Sequence, residues 1–387
     1  MDDVTFALRN RSESSTFGPI VTCVDMVDVE IPPPAVVTGL DLLRSETRVN
    51  IGRPRNVRFP PIEYYTVQRA LLIGQCLVVS ETGEAIRETI APHRQAQYNF
   101  RPTKSIREID GFTLVLPVDV PAMSHFLFEG LSRLVPGLPD IENIIIPTAP
   151  HPGFADLIAF ALGRQVNVLF RSPDLFTETW FLKHALVPIY RFNFHPAMAT
   201  SITNIIAACQ REREGASDYL YISRRDAIHY RVMLNEDRII ALLGAMGFDI
   251  LELGSMAEAE IVRRFSSAKM IVGPMGAGLY NCIFSPPGCT VVALCAPNYL
   301  RSFLDQCAAL RGVRRAYCFG PDFLSYEAEH LGGHNDFVID EDAVLETVLS
   351  LLDDAGSAST AGPARQRPVG RGIEPLAIWG RLFGKTR

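Results

Sequence analysis

The chain has 387 residues, with 48% hydrophobic and 21% charged side chains and a formal net charge of -6. The length exceeds one ordinary core and sets an expectation of two domains of about 150 residues each, while the composition excludes a disordered chain. The acidic balance argues against nucleic acid as the main partner, because phosphate-backbone binders carry a basic excess or stripe.

Residues 1–60 are expected to be irregular, with Ile31-Pro-Pro-Pro34 and Pro54 breaking any long element. Ala70–Ser80 and Ala85–Ile90 are β-rich runs flanking Glu81-Thr-Gly-Glu84, which predicts a hairpin. Phe112–Val118 reads as a buried strand. Met123–Leu134 reads as a helix, with Phe126, Leu127, Leu131 and Leu134 at helical spacing. Strands are predicted over Glu142–Ile146 and Val166–Phe170, with a helix over Phe154–Gly163 between them. Residues 193–217 form a helical bridge ending in the polar run Gln210–Ser217.

The alternation then repeats. Strands are predicted over Tyr219–Ser223, Asp249–Leu253, Lys269–Gly273, Thr290–Cys295 and Arg315–Phe319. Helices are predicted over Asn235–Met246, Ala257–Ser267 and Tyr299–Leu310, and Leu279–Phe284 starts a helix or turn. This is an α/β chain with parallel βαβ units and two successive domains joined near residue 200. The expected division is 1–195 for an N-terminal α/β domain with the hairpin, 196–350 for a C-terminal α/β domain, and 351–387 for a linker and tail. No run approaches the roughly 18 apolar residues of a membrane span, and the acidic first thirty residues lack a signal pattern, so a cytoplasmic protein is expected. The eight cysteines form no CxxC pair and read as buried, reduced thiols; the eight histidines show no metal-ligand spacing, so no bound metal is expected.

Three stretches carry chemistry. In Ile271-Val-Gly-Pro-Met-Gly-Ala-Gly-Leu-Tyr-Asn281 an apolar strand runs into three glycines within six residues. Such a turn lets backbone N–H groups approach a diphosphate at the carboxyl edge of a sheet; it is equally the form of a tight packing corner. The pattern differs from the dinucleotide fingerprint GxGxxG, which disfavours an oxidoreductase. Tyr219-Leu-Tyr-Ile-Ser-Arg-Arg225 with Arg231 brings guanidiniums to the same edge, suited to phosphate or to surface salt bridges. Asn235-Glu236 could begin the next helix as its cap. His125, Glu129 and Arg133 recur at steps of four and share a helix face, giving either a general base with its carboxylate or an exposed i,i+4 ion pair.

Taken together these stretches resemble glycosyltransferase family 61, whose bacterial members include capsular and exopolysaccharide proteins. The resemblance rests on the helix His125–Leu134, the extended segment Phe176–His184, the YISRR…R…NE segment Tyr221–Glu236 and the GPxGAGLxN turn Gly273–Asn281. It covers about residues 110–310. It implies a GT-B-like architecture, two doubly wound Rossmann-like domains facing a cleft, with the acceptor on the first and the nucleotide on the second. It further implies an inverting, metal-independent hexosyl- or pentosyltransferase for polysaccharide biosynthesis, with no cofactor beyond a nucleotide-sugar donor, UDP-linked, and a glycan or lipid-linked acceptor. By position, Arg224, Arg225 and Arg231 would bind phosphates, and Met275, Gly276, Ala277, Gly278 and Leu279 would cradle them. Asn281 would position the turn, and His125 or Glu129 would serve as base. Where the family commonly has His in GPHGAGLxN this chain has Met275, which cannot donate a hydrogen bond. A non-catalytic relative acting as a subunit of a polysaccharide assembly complex is the alternative.

Residues 355–371 read as an Ala/Gly/Ser/Thr/Pro-rich linker. Beyond it Ile373, Leu376, Trp379, Leu382 and Phe383 alternate with Arg371, Arg381, Lys385 and Arg387. Such a segment could lie in an acidic membrane interface, placing the protein peripherally at the inner membrane, or pack on the protein itself.

Overall fold

The computed structural model describes residues 7–9, 20–74, 77–80, 83–89, 106–118, 122–135, 138, 140–172, 174–175, 178–210, 217–226, 231–323 and 335–357. In chain order these begin with strands β1 (Ala7–Arg9), β2 (Ile20–Val24), β3 (Val27–Ile31) and β4 (Val36–Thr38). Helix α1 (Ser45–Ile51) and strands β5 (Arg55–Phe59), β6 (Ile62–Ile73), β7 (Leu77–Val79) and β8 (Glu84–Ile86) follow. Residues 20–60 are therefore not irregular. Pro32, Pro33, Pro34, Pro54 and Pro60 fall between strands, where a missing N–H breaks no ladder. The predicted hairpin is present: β7 and β8 pair antiparallel, and the Gly83 N–H donates to the Ser80 carbonyl at 2.9 Å. The run expected over 70–80 is divided at Gly74, whose φ is +56°.

Strand β9 (Ile106–Val115) leads to α2 (Met123–His125), which continues as a π-turn over Phe126–Gly130 and a 3-10 turn over Leu131–Arg133. Then come β10 (Asn143–Ile146), α3 (Pro152–Leu162), β11 (Asn167–Phe170), β12 (Thr179–Pro188) and α4 (Ala199–Cys209). The nine-stranded sheet runs β1-β8-β7-β6-β12-β9-β10-β11, with β2 also on β6. It is parallel across β12, β9, β10 and β11 and antiparallel through β12, β6, β7 and β8. Successive strand residues face opposite ways, so Ile144 and Ile146 enter one apolar cluster and Ile145 the other.

The second sheet is built from β13 (Tyr219–Ile222), α5 (Glu236–Ala245), β14 (Asp249–Leu251), α6 (Glu258–Phe265), β15 (Met270–Pro274), β16 (Thr290–Cys295), α7 (Phe303–Arg311) and β17 (Arg314–Phe319). A two-stranded pair, β18 (Asp322–Phe323) with β19 (Asp336–Phe337), and helix α8 (Glu341–Ser357) complete the described chain. Its order, β14-β13-β15-β16-β17-β4, is parallel throughout. The carboxyl ends of β13, β15 and β16 thus open on one edge. Helix α7 starts at Phe303 and not at Tyr299, because Pro297–Tyr299 forms a separate 3-10 turn.

By compactness, residues 1–348 form one unit and 349–387 another. Within the first, one apolar cluster draws on both sheets, from Ile31, Leu114 and Phe126 to Leu220, Val291 and Phe319. Helix α8 runs to Ser357, past the expected linker start at Ala355; the rest of the linker and the basic tail lie outside the described residues. No described helix is long and apolar enough to cross a membrane. Cys209, Cys282, Cys289, Cys295, Cys307 and Cys318 are buried free thiols.

Candidate functional site

The strand end at Arg224 is fixed by a carboxylate. Glu236, buried at the first turn of α5, accepts the Arg224 backbone N–H at 2.8 Å and the Tyr221 hydroxyl at 3.1 Å. Burial first, and this carboxylate second, raise the Tyr221 phenol far above its ordinary pKa. Asn235 stands at the N-cap position of α5, as expected, but its side chain caps no helix N–H. Its amide nitrogen donates to the Ile339 carbonyl at 2.7 Å and its oxygen accepts the Ile339 N–H at 3.1 Å, a two-way bridge to the chain after β19.

The Gly-rich turn continues β15, with the Met275 N–H donating to the Leu294 carbonyl at 2.9 Å. Its glycines meet different neighbours. A Cβ at Gly273 would lie 2.8 Å from the Ile222 carbonyl oxygen, and one at Gly278 would lie 2.8 Å from Ile222 Cγ2, so both permit close strand packing. A Cβ at Gly276 would lie 2.4 Å from Arg224 Nη1 and 3.7 Å from Arg231 Nη1. That glycine makes room for the Arg224 guanidinium, with Arg231 at ordinary contact distance. Gly276 is extended, with φ 170°, so space and not backbone strain sets the requirement. A 3-10 helix over Ala277–Phe284 follows in place of an α-helix. Ala277 is exposed and Leu279 buried. Buried Asn281 donates from Nδ2 to the Gly278 carbonyl at 3.0 Å, while its Oδ1 is buried without a hydrogen-bond partner.

Arg231 is buried, with φ +58°; its Nη1 donates to the Met275 carbonyl at 3.4 Å, and its guanidinium sits 4.0 Å above the Tyr299 ring. Arg225 goes elsewhere. It pairs with Asp237 on α5, and that hydrogen bond raises its pKa. Arg224 and Arg231 therefore meet at Gly276, and Arg225 does not. Met275 points inward, where the Tyr280 hydroxyl donates to its sulfur at 3.9 Å. Tyr299 and Arg301, stacked at 4.4 Å, do not stand out in the sequence. The signal for them is position alone: they follow β16, the strand next to the Gly-rich turn.

His125 and Glu129 are in contact, with His125 Nδ1 and Glu129 Oε2 3.2 Å apart. The Tyr190 hydroxyl donates to Glu129 Oε1 at 2.7 Å, a partner the sequence spacing does not reveal. The Glu129 side chain is 0% exposed and that of His125 29%, so this is not an exposed ion pair. Arg133 leaves that face. The pitch changes from π to 3-10 at Leu131, and a four-residue step no longer returns to the same side. Fully buried, Arg133 donates to the Arg191 carbonyl at 2.9 Å and to Asn193 Oδ1 at 3.0 Å. Burial lowers its pKa to about 10. The Phe128 ring, 5.5 Å from Tyr280 and 4.2 Å from Phe303, seats this helix against the segment that follows the Gly-rich turn.

The arrangement can hold an anion at Gly276 and move a proton through His125. Compared with known protein families, residues 123–292 match the one described as Glycosyltransferase 61, which supports a glycosyltransferase. The matched span opens at the first residue of α2 and closes within β16, so His125, Glu129, Arg224, Arg231 and the Gly-rich turn all fall inside it. No curated protein sequence matches the chain.

Proposed function

We propose that this chain, through the glycosyltransferase 61 match over residues 123–292, moves a sugar from a nucleoside-diphosphate donor, UDP-linked, to a glycan or lipid-linked acceptor with inversion. The observation that carries the reading is the convergence of Arg224 and Arg231 on Gly276 at the carboxyl edge of a parallel sheet. Two guanidiniums there can take the charge that develops on the departing diphosphate, the part a metal ion plays in other transferases. Backbone groups of residues 275–279 complete the cradle.

His125 is the base. Its Nδ1 is engaged with Glu129, leaving Nε2 to take the proton of the acceptor hydroxyl. The acceptor oxygen then bonds to the anomeric carbon as the bond to the diphosphate oxygen breaks. The electron pair leaves with the diphosphate toward Arg224 and Arg231. Glu129 holds the imidazole in its tautomer, and Tyr190 holds Glu129. We assign the acceptor side to residues 1–195 and the donor side to 196–350, in a GT-B-like arrangement of a cytoplasmic enzyme of capsule or exopolysaccharide synthesis. The basic tail would touch the inner membrane. Calorimetric titration of UDP, GDP and sugar nucleotides tests the donor site; binding to none of them would overturn it.

Met275 favours a second reading. Its side chain is turned into the core against Tyr280, in the place where the family pattern has a His able to donate. A chain so changed could serve as a non-catalytic subunit of a polysaccharide assembly complex. If polysaccharide output survives both His125→Ala and Glu129→Ala, that reading replaces the first.

A further inference from the structure

Three neighbouring strands deliver residues to the same edge: β13 leads to Arg224, β15 to the Gly-rich turn, and β16 to a 3-10 turn carrying Tyr299. The Tyr299 ring has the Arg231 guanidinium 4.0 Å from its centre and the Arg301 guanidinium 4.4 Å from it. The ring's π-electrons attract both guanidiniums, yet this leaves two like charges close together. Arg301 is exposed and makes no ion pair with any described residue. An anion bridging these cations would remove the repulsion and gain charge-assisted hydrogen bonds.

We propose that Arg301, set by its stack on Tyr299, is a third anion-binding cation of the donor site. This rests on the donor-site reading above. The role of Tyr299 is to place the two arginines. The class of ligand is a pyrophosphate group with two or more charges, whatever base it carries.

Titration calorimetry on the full chain with inorganic pyrophosphate, UDP and uridine tests this, with wild type, Arg301→Ala, Arg301→Lys and Arg224→Ala compared. Arg301→Ala is expected to weaken pyrophosphate and UDP alike, by about tenfold. Arg301→Lys should recover part of the loss, and added salt should weaken the Ala variant's binding less than the wild type's. Unchanged affinity in Arg301→Ala, beside a loss in Arg224→Ala, would overturn the role of Arg301 and leave the donor site standing. Weaker UDP with unchanged pyrophosphate would also overturn it, because Arg301 would then be reading the nucleoside. A wild type that binds neither ligand would overturn the donor site itself. Circular dichroism of each variant shows whether folding is retained, as an exposed side chain leads one to expect.

Discussion

In the proposed reaction His125 and Glu129 divide the work of one proton transfer. Both Glu129 oxygens are engaged, one by His125 and one by Tyr190, and the side chain has no exposed surface. It cannot reach an acceptor, whereas His125 can. His125→Ala is therefore expected to lower kcat by about 10²–10⁴-fold with UDP affinity unchanged, read by steady-state kinetics beside calorimetry. Glu129→Gln should lower kcat less, since the amide still orients the ring. The glycines separate in the same way. In Gly276→Ala the new methyl takes the place of Arg224 Nη1, a mobile group that swings away, so donor KM rises by about tenfold with melting unchanged. In Gly273→Ala the methyl meets the fixed Ile222 carbonyl, and stability falls by about 1–3 kcal/mol, read as a lower melting temperature. Sequence spacing was enough to bring His125 onto Glu129. It could not show that Arg225, adjacent to Arg224, turns to Asp237, because that choice depends on where α5 lies.

At the scale of elements, legibility followed the distance to the partner. The βαβ units from Tyr219 to Phe319 were readable because each apolar run pairs with a strand of the same stretch. Strand β4 was not: three residues after a proline run carry no periodicity, and its partner β17 begins 276 positions beyond its last residue's sequence number, in register Ala316 with Val36. Contacts of that kind are long-range and leave no local signature. The turn at Pro196–Met198 shows how a buried side chain sets an element end. His195 Nδ1 accepts the Ala197 N–H at 3.1 Å, and its Nε2 lies 3.2 Å from the Asp25 carbonyl, so Nε2 carries the hydrogen. A second proton would have to sit on Nδ1, facing a donor. Burial, the larger cause, and then Arg133 hold the His195 pKa below its ordinary value of 6.5, against the Asp25 hydrogen bond. The unfolded chain then takes up a proton where the folded chain does not, so stability is full above about pH 6.5 and falls as pH drops below it. Melting temperature is expected to decline on acidification through that range, and His195→Gln to flatten the decline. An equal slope in the variant would assign it to other groups.

At the scale of the molecule, the two sheets share one apolar cluster, and a buried ion pair ties the separate β3–β5 ribbon to the second sheet. Asp305 on α7 pairs with Arg315 of β17 and, at 2.6 Å, with Arg55 of β5, while Arg315 also donates to the Pro32 carbonyl between β3 and β4. The amino-terminal strands are thus fastened to the carboxyl-terminal sheet. Removing Asp305 leaves a buried guanidinium uncompensated, and Asp305→Ala is expected to cost about 3–5 kcal/mol in urea unfolding. A shared core also predicts that the sheets unfold together. Two probes report them separately. Trp180 is buried in the first sheet, and its fluorescence is isolated by Trp379→Phe; Cys295 and Cys318 are buried in the second, and their reaction with a thiol reagent reports its opening. Both signals should change at the same urea concentration. Two separate midpoints would mean that the sheets are held by independent cores.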